Sequence, residues 1–295
     1  MAMKPGINEA IIEGVLSEKI VRDFDDGAVA GEFVIEVPMK VDGEEFTSLI
    51  PVSFYSKPLT NAQKPNVAYK GIKTVIESAK SLAEVDGDYT KADRIRLRSG
   101  NLGENMFFSQ DDRFVSFARI RGNFFDRVSA TDCLPKAQFK AKMIIGNIGP
   151  EIVKQGGEEV ETGRLRVVGQ IVQYNGAIDE ITFIVQNKSY VDKIEKNWSI
   201  GDTVNVSGVI KYTTSEVAVE EEEEDGFGEP VVNTLTRRVR EFIITGGSSG
   251  PVEGYDEDDI AEARRERKLR INALKDKQNE KESSVPKSKK ASRDW

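Results

Sequence analysis

The chain has 295 residues, of which 38% are hydrophobic and 31% charged, and its formal net charge is −8. It has no histidine and one cysteine, Cys133, so it lacks the most common general base, the residues of ordinary zinc sites and the means to form an internal disulfide. No apolar run is long enough to span a membrane, and neither a signal peptide nor a glycine-rich phosphate loop is recognisable. We therefore expect a cytoplasmic protein that is not an enzyme and holds no metal or organic cofactor.

The negative charge is concentrated in two short runs. Six consecutive acidic residues occupy Glu220–Asp225, and four more occupy Asp256–Asp259. Without these ten carboxylates the net charge would be +2. Because local charge governs binding more than total charge does, the acidic total does not exclude a polyanionic partner.

Apolar and polar residues alternate in five segments of the first half, which predicts five strands. These segments are Ile7–Val21, Ala28–Val41, Glu45–Lys57, Arg94–Arg98 and Arg113–Phe125. Between the third and fourth segments, apolar residues recur at helical spacing from Asn66 to Glu84, which predicts a helix that covers a small sheet.

The same order of elements is predicted again in the second half. Strands are expected at Gln138–Ile148, Gly163–Tyr174, Ala177–Gln186, Ser199–Tyr212 and Thr236–Thr245, with a short helix at Ser189–Asn197. The pair Asn175-Gly176 is a strong hairpin signal between two of these strands. Two copies of one order indicate a tandem of one fold, with domains at residues 1–132 and 137–247 and an acidic loop at residues 216–230.

Five strands with a helix between the third and the fourth is the plan of the OB-fold, a five-stranded Greek-key barrel. The stretch GDTVNVSGVIKY, residues 201–212, resembles the fourth strand of many such domains. We therefore predict a mainly β protein with two tandem OB-fold-like five-stranded barrels. Residues 248–295 are predicted to be a linker followed by a flexible, charged tail that is partly helical or disordered.

Basic and aromatic residues are interleaved in the stretch Lys91–Arg127. Alternate residues of a strand face opposite sides, so we expect the core side of this stretch to hold Ile95, Leu97, Phe114 and Ile120. Cationic strands with aromatic residues between them suit single-stranded nucleic acid, whose phosphates bind cations and whose bases stack on rings. The residues predicted to neutralise phosphates are Arg94, Arg96, Arg98, Arg119, Arg121, Lys140, Lys142, Arg164 and Arg166. Those predicted to stack on bases are Tyr55, Phe117 and Tyr174.

On the strand order, the stretch GDTVNVSGVIKY and the Arg-aromatic strands, the chain resembles phage-type single-stranded DNA-binding proteins with tandem OB-folds. The resemblance implies a protein that coats and protects exposed single strands during DNA replication, recombination and repair, with little sequence specificity. It also implies residence in the host cytoplasm and recruitment of replication or recombination proteins through the C-terminal tail. The chain departs from this pattern at its end, where the residues around Trp295 are basic rather than acidic.

Other interpretations of the sequence stay open. The same barrels would serve a replisome adaptor or loader that binds proteins, or a structural component of a virion. A nuclease that uses carboxylates and magnesium is disfavoured because no Asp/Glu constellation stands out at strand ends. The acidic run Glu220–Asp225 would be either a solvated loop or a competitor of nucleic acid for the basic groove.

Overall fold

The computed structural model describes residues 3–109, 111–155, 158–221 and 231–284. Its strands are β1 (Asn8–Asp23), β2 (Val29–Val41), β3 (Glu44–Ser56), β4 (Arg94–Phe108), β5 (Phe114–Val128), β6 (Lys136–Gln155), β7 (Glu158–Val172), β8 (Ile178–Val185), β9 (Thr203–Glu221) and β10 (Val231–Gly247). Its helices are α1 (Val67–Ser78), α2 (Lys188–Asn197) and α3 (Glu257–Ser284). The protein is mainly β, and the predicted order of three strands, a helix and two strands is confirmed in both halves.

The strands of each half close into a ring. In the first ring β1 pairs with β2, β2 with β3, β3 with β5, β5 with β4, and β4 again with β1. The β3–β5 contact is parallel and the others are antiparallel. The second ring repeats this order from β6 to β10, again with one parallel contact, between β8 and β10. Alternating apolar residues fill both rings because every second side chain of a strand points inward.

The two rings are joined along their first strands. Residues 8–13 of β1 pair antiparallel with residues 136–141 of β6, so that all ten strands belong to one sheet. The Ser48 hydroxyl adds a buried link, since it donates to the Ile210 carbonyl at 3.1 Å and accepts the Tyr212 N–H at 3.1 Å. One continuous cluster of buried apolar side chains runs through both rings. The two halves therefore pack as one body.

The helix predicted from Asn66 to Glu84 is shorter in the structure. It begins after Asn66, whose side chain caps the Ala68 N–H, and it ends at Ser78. The Lys19 ammonium donates to the Ile76 and Ala79 carbonyls at 3.1 and 2.7 Å, which satisfies the end of the helix. The apolar pattern continues into a separate 3₁₀ turn at Leu82–Val85, which explains why the prediction was too long.

Several strands are longer than predicted and extend beyond the rings. The β4–β5 hairpin reaches Phe108 and Phe114, and Phe114 is 41% exposed at its tip, so its expected place in the core is wrong. The expected core positions of Ile95, Leu97 and Ile120 are confirmed.

Residues 216–221 of the predicted acidic loop are part of β9 and pair with β10. The acidic residues 222–225 lie outside the described residues.

The expectation that the tail is partly helical is confirmed, but the expectation that it is flexible is wrong for residues 257–278. They belong to α3, whose Ile260 and Ala263 are buried against Met3, Ile144 and Ile178. The hydrophobic pattern of the sequence did not indicate this packing, because several of the side chains that contact the rings are arginines, namely Arg264, Arg267 and Arg270. The terminal residues 285–295, including Trp295, lie outside the described residues. Among the helices described, none is both long and apolar enough to cross a membrane.

Candidate nucleic-acid interface

A cleft of about 530 Å³ opens on the outer side of the first ring, where β3, β4 and β5 lie side by side. Val52 and Ile120 are opposite each other in the ladder and fully buried, so their neighbours in sequence point the other way, towards the cleft. Polar, cationic and aromatic side chains thereby share one surface. Its lining includes Ser53, Tyr55, Asn101, Arg119, Arg121 and Phe124.

The two arginines of the cleft, Arg119 and Arg121, form no ion pair with any described residue. Burial, together with the neighbouring Arg121 charge, lowers the pKa of the Arg119 guanidinium. The Nε atoms of both side chains are buried without a hydrogen-bond partner among the described residues, and an Nη atom of Arg121 donates to the Glu104 carbonyl at 3.1 Å. Because no carboxylate among the described residues binds these guanidiniums, their remaining Nη donors can bind a phosphate.

Exposed aromatic rings lie next to these guanidiniums. Tyr55 is 51% exposed and Phe124 is 52% exposed. The Tyr55 N–H donates to the Asn123 side chain at 3.2 Å, which holds the end of β3 against β5. Phe24 extends this surface, since its ring meets that of Tyr55 edge-on at 6.3 Å. Half-exposed rings beside cations provide the two contacts that a single strand requires, one to phosphate and one to base.

Sequence reasoning missed Phe24 and Phe124. Phe124 and Phe125 are consecutive in β5, and consecutive strand residues face opposite sides, so only one of the two could be a core residue. Phe125 is that residue, at 4% exposed. This signal was readable in the sequence. No comparable signal marked Phe24, which lies in the turn between β1 and β2.

Three of the predicted arginines are neutralised by carboxylates. Arg96 binds Glu13 through two hydrogen bonds of 2.7 and 2.9 Å, and the Arg96 hydrogen bonds hold the pKa of this fully buried carboxyl below its usual value despite the burial. Arg98 forms an ion pair with Asp126. Arg164 is clamped between two carboxylates, Glu151 and Glu241, at 2.7 and 2.8 Å. These side chains hold strands together and do not line the cleft.

The remaining predicted residues also lie outside the cleft lining. Arg94 donates to the Ala92 and Tyr89 carbonyls, and Lys142 lies over the Tyr255 ring at 4.8 Å. Lys140 and Arg166 are exposed on the second ring. Phe117 is half-buried against Phe107, with the Arg240 guanidinium 5.7 Å from its ring. Tyr174 is 94% exposed on the β7–β8 turn. The structure thus brings together Tyr55, Arg119 and Arg121 from the predicted set.

Comparison with known proteins relates the chain to a family and to two solved structures. No curated protein matches it. A deletion mutant of the single-stranded DNA binding protein from Thermus aquaticus matches with a TM-score of 0.45 and 12% identity, over 87% of this chain and 100% of that one. The wild-type form matches with a TM-score of 0.44 and 12% identity, over 86% and 97%. A likeness of this degree establishes no function. The YorF family model matches residues 7–279, which include both rings and most of α3, and the chain therefore belongs to the YorF family.

Proposed function

We propose that this chain is a single-stranded DNA-binding protein that acts without catalysis. The observation that carries the proposal is the pair Arg119 and Arg121, which have no carboxylate partner among the described residues and lie in one cleft with the half-exposed rings of Tyr55 and Phe124. The other arginines predicted from the sequence, such as Arg96 and Arg164, are engaged within the protein. The cleft therefore combines cationic donors that remain available to an outside ligand with exposed aromatic rings.

Binding would combine two physical contributions. The guanidiniums neutralise phosphates and release their counterions, so affinity falls steeply as the salt concentration rises. The rings stack on bases, at about 1–3 kcal/mol for each base and with little sequence preference. In a duplex the bases are already stacked on one another, so only the first contribution remains. We therefore expect a clear preference for single strands.

We further infer that each ring is an OB-fold barrel and that the chain is a tandem of two. The strand order, the parallel contact between third and fifth strands and the helix after the third strand support this inference in both halves. The cleft lies on the third, fifth and fourth strands, which are neighbours in that order. In cells the protein would coat single strands exposed in replication, recombination or repair, as phage-type proteins do, and the C-terminal tail, residues 248–295, would recruit replication or recombination proteins.

The experiment is a salt titration of binding to a fluorescently labelled oligothymidylate and to a duplex of the same length. We expect the single strand to bind more tightly at every salt concentration. Arg119→Ala and Arg121→Ala should each lower the salt slope by about one and weaken binding by about tenfold. Arg265→Ala is the matched control, because this arginine has 72% of its side chain exposed on α3 and its loss removes the same charge. Equal affinity for the duplex, or no binding at low salt, would contradict the proposal.

A further inference from the structure

Helix α3 attaches to the rings through arginines at three-residue intervals. Arg267 binds Glu104 on β4 at 2.5 and 3.0 Å and also contacts Glu180 on β8 at 2.9 Å. Arg270 lies 3.6 Å from Asp179 of β8, and Arg264 donates to the Gln170 side chain at 2.9 Å. The helix therefore places positive charge at the place where the two rings meet.

The carboxylates that receive these arginines are buried. The Glu104 side chain is fully buried, and that of Asp179 is 5% exposed. Burial raises the pKa of Asp179, against the effect of the Arg270 charge. A buried carboxylate needs a cationic or hydrogen-bonding partner, because an unpaired charge in a region of low dielectric is costly.

These carboxylates lie directly behind the cleft. Glu104 connects the two sites through its backbone, since its N–H donates to Asp179 at 3.1 Å and its carbonyl accepts from Arg121 at 3.1 Å. The Asp179 charge acts on both cleft guanidiniums, those of Arg119 and Arg121. Asp179 therefore has two possible cationic partners, Arg270 on the helix and Arg121 in the cleft.

We propose that α3 is a positioning element for the cleft: Arg270 and Arg267 occupy Asp179 and Glu104, and this keeps Arg121 unpaired and available to phosphate. The inference rests on the proposed function. Without the α3 arginines, Asp179 would draw the Arg121 guanidinium into an ion pair. A phosphate would then have to displace a buried carboxylate before binding, and affinity would fall although no residue in contact with DNA had changed.

The test uses the full chain and the same labelled oligothymidylate. Arg270→Ala should weaken binding by about fivefold or more and lower the salt slope by about one, the same change in slope that is expected for Arg121→Ala. In an Arg121→Ala background the change at position 270 should have little further effect, since the residue that Asp179 captures is absent. Asp179→Asn added to Arg270→Ala should restore binding to within about twofold of the parent chain, because the amide oxygen still accepts the Glu104 N–H but carries no charge.

Other outcomes separate this inference from the proposed function. If Arg270→Ala only loosened the fold, it would weaken binding equally in the parent chain and in the Arg121→Ala background, and that result would overturn the positioning role. Unchanged affinity in Arg270→Ala would overturn it as well. Arg270 could instead contact DNA itself, in which case Asp179→Asn would fail to restore binding and the inference would also be wrong. In each of these cases the proposed function would still be supported, provided that Arg121→Ala binds the single strand more weakly than the parent chain does. Absence of single-strand binding by the unmodified chain would overturn the proposed function itself.

Discussion

Arginines of similar sequence context have different roles in this protein. Arg96 and Arg121 both alternate with apolar residues in a strand, yet Arg96 is bound by Glu13, and Arg121 forms no ion pair among the described residues. The difference depends on residues distant in sequence, since Glu13 lies 83 positions from Arg96. The residue pattern could therefore identify a set of candidate cationic residues. It could not distinguish those that form ion pairs within the protein from those that remain available to a ligand.

One residue-scale prediction concerns Phe124, which the sequence pattern did not single out as a binding residue. Phe124→Ala should weaken single-strand binding by about 1–3 kcal/mol, because it removes a ring that would stack on a base. Tyr89→Ala is the matched control, since Tyr89 is 51% exposed, like Phe124 at 52%, but lies outside the cleft. Fluorescence titration with labelled oligothymidylate measures the single-strand affinities of the two variants. Equal losses in the two variants would show that Phe124 has no special role.

A second prediction at this scale concerns Glu13 and pH. The Arg96 hydrogen bonds hold the pKa of the Glu13 carboxyl below its usual value of 4.5. A depressed folded-state pKa means that the stabilisation is complete above pH 4.5 and is lost as the pH falls through the folded-state pKa. Glu13→Gln should therefore cost about 2 kcal/mol of unfolding free energy at pH 7. Urea unfolding at pH 7 and at pH 3 measures the unfolding free energies of Glu13→Gln and of the parent chain. The difference between the two free energies should be smaller at pH 3, and an equal difference at both pH values would contradict this account.

At the scale of elements, helix packing depends on residue types that a hydrophobic pattern does not detect. Helix α1 was predicted from its apolar stripe, and Ala68, Ile72 and Val75 form its buried side. Helix α3 buries two apolar residues, Ile260 and Ala263, near its start, and further along its arginines form ion pairs with buried carboxylates of the rings. Charged residues indicate a solvated face unless their buried partners are known, and here those partners lie on β4 and β8.

Gly208 carries an element-scale prediction about the second ring. A Cβ at Gly208 of β9 would lie 1.9 Å from the Ile243 carbonyl oxygen of β10, so the two strands can approach each other only if this residue has no side chain. Gly208→Ala should destabilise the protein by about 3 kcal/mol through this overpacking. Gly149→Ala on β6 is the control, because a Cβ there would meet nothing within 4 Å. Chemical unfolding of both variants checks the prediction, and equal stabilities would contradict it.

For the whole molecule, the pairing of β1 with β6 and the shared core predict one cooperative unfolding transition. Slow-exchanging amides of both rings should report the same opening free energy in native-state hydrogen exchange. Ser48→Ala should lower that free energy in both rings by about 1–3 kcal/mol, because it removes both hydrogen bonds of a buried hydroxyl and leaves the Ile210 carbonyl and the Tyr212 N–H unsatisfied. Two separate free energies, one for each ring, would show that the halves unfold independently.

The sequence by itself determined the mainly β class and the repeated order of strands and helices, because these follow from local periodicity and turn residues. It also placed Tyr55, Arg119 and Arg121 among the candidate binding residues. Only the tertiary structure decided that the rings share one sheet, that α3 is docked and which arginines stay unpaired. Those properties depend on partners dozens of positions away, such as Glu13 for Arg96 and Glu104 for Arg267, and on the closure of each ring. Periodicity carries information about which side of a strand a residue faces, but not about what it meets there.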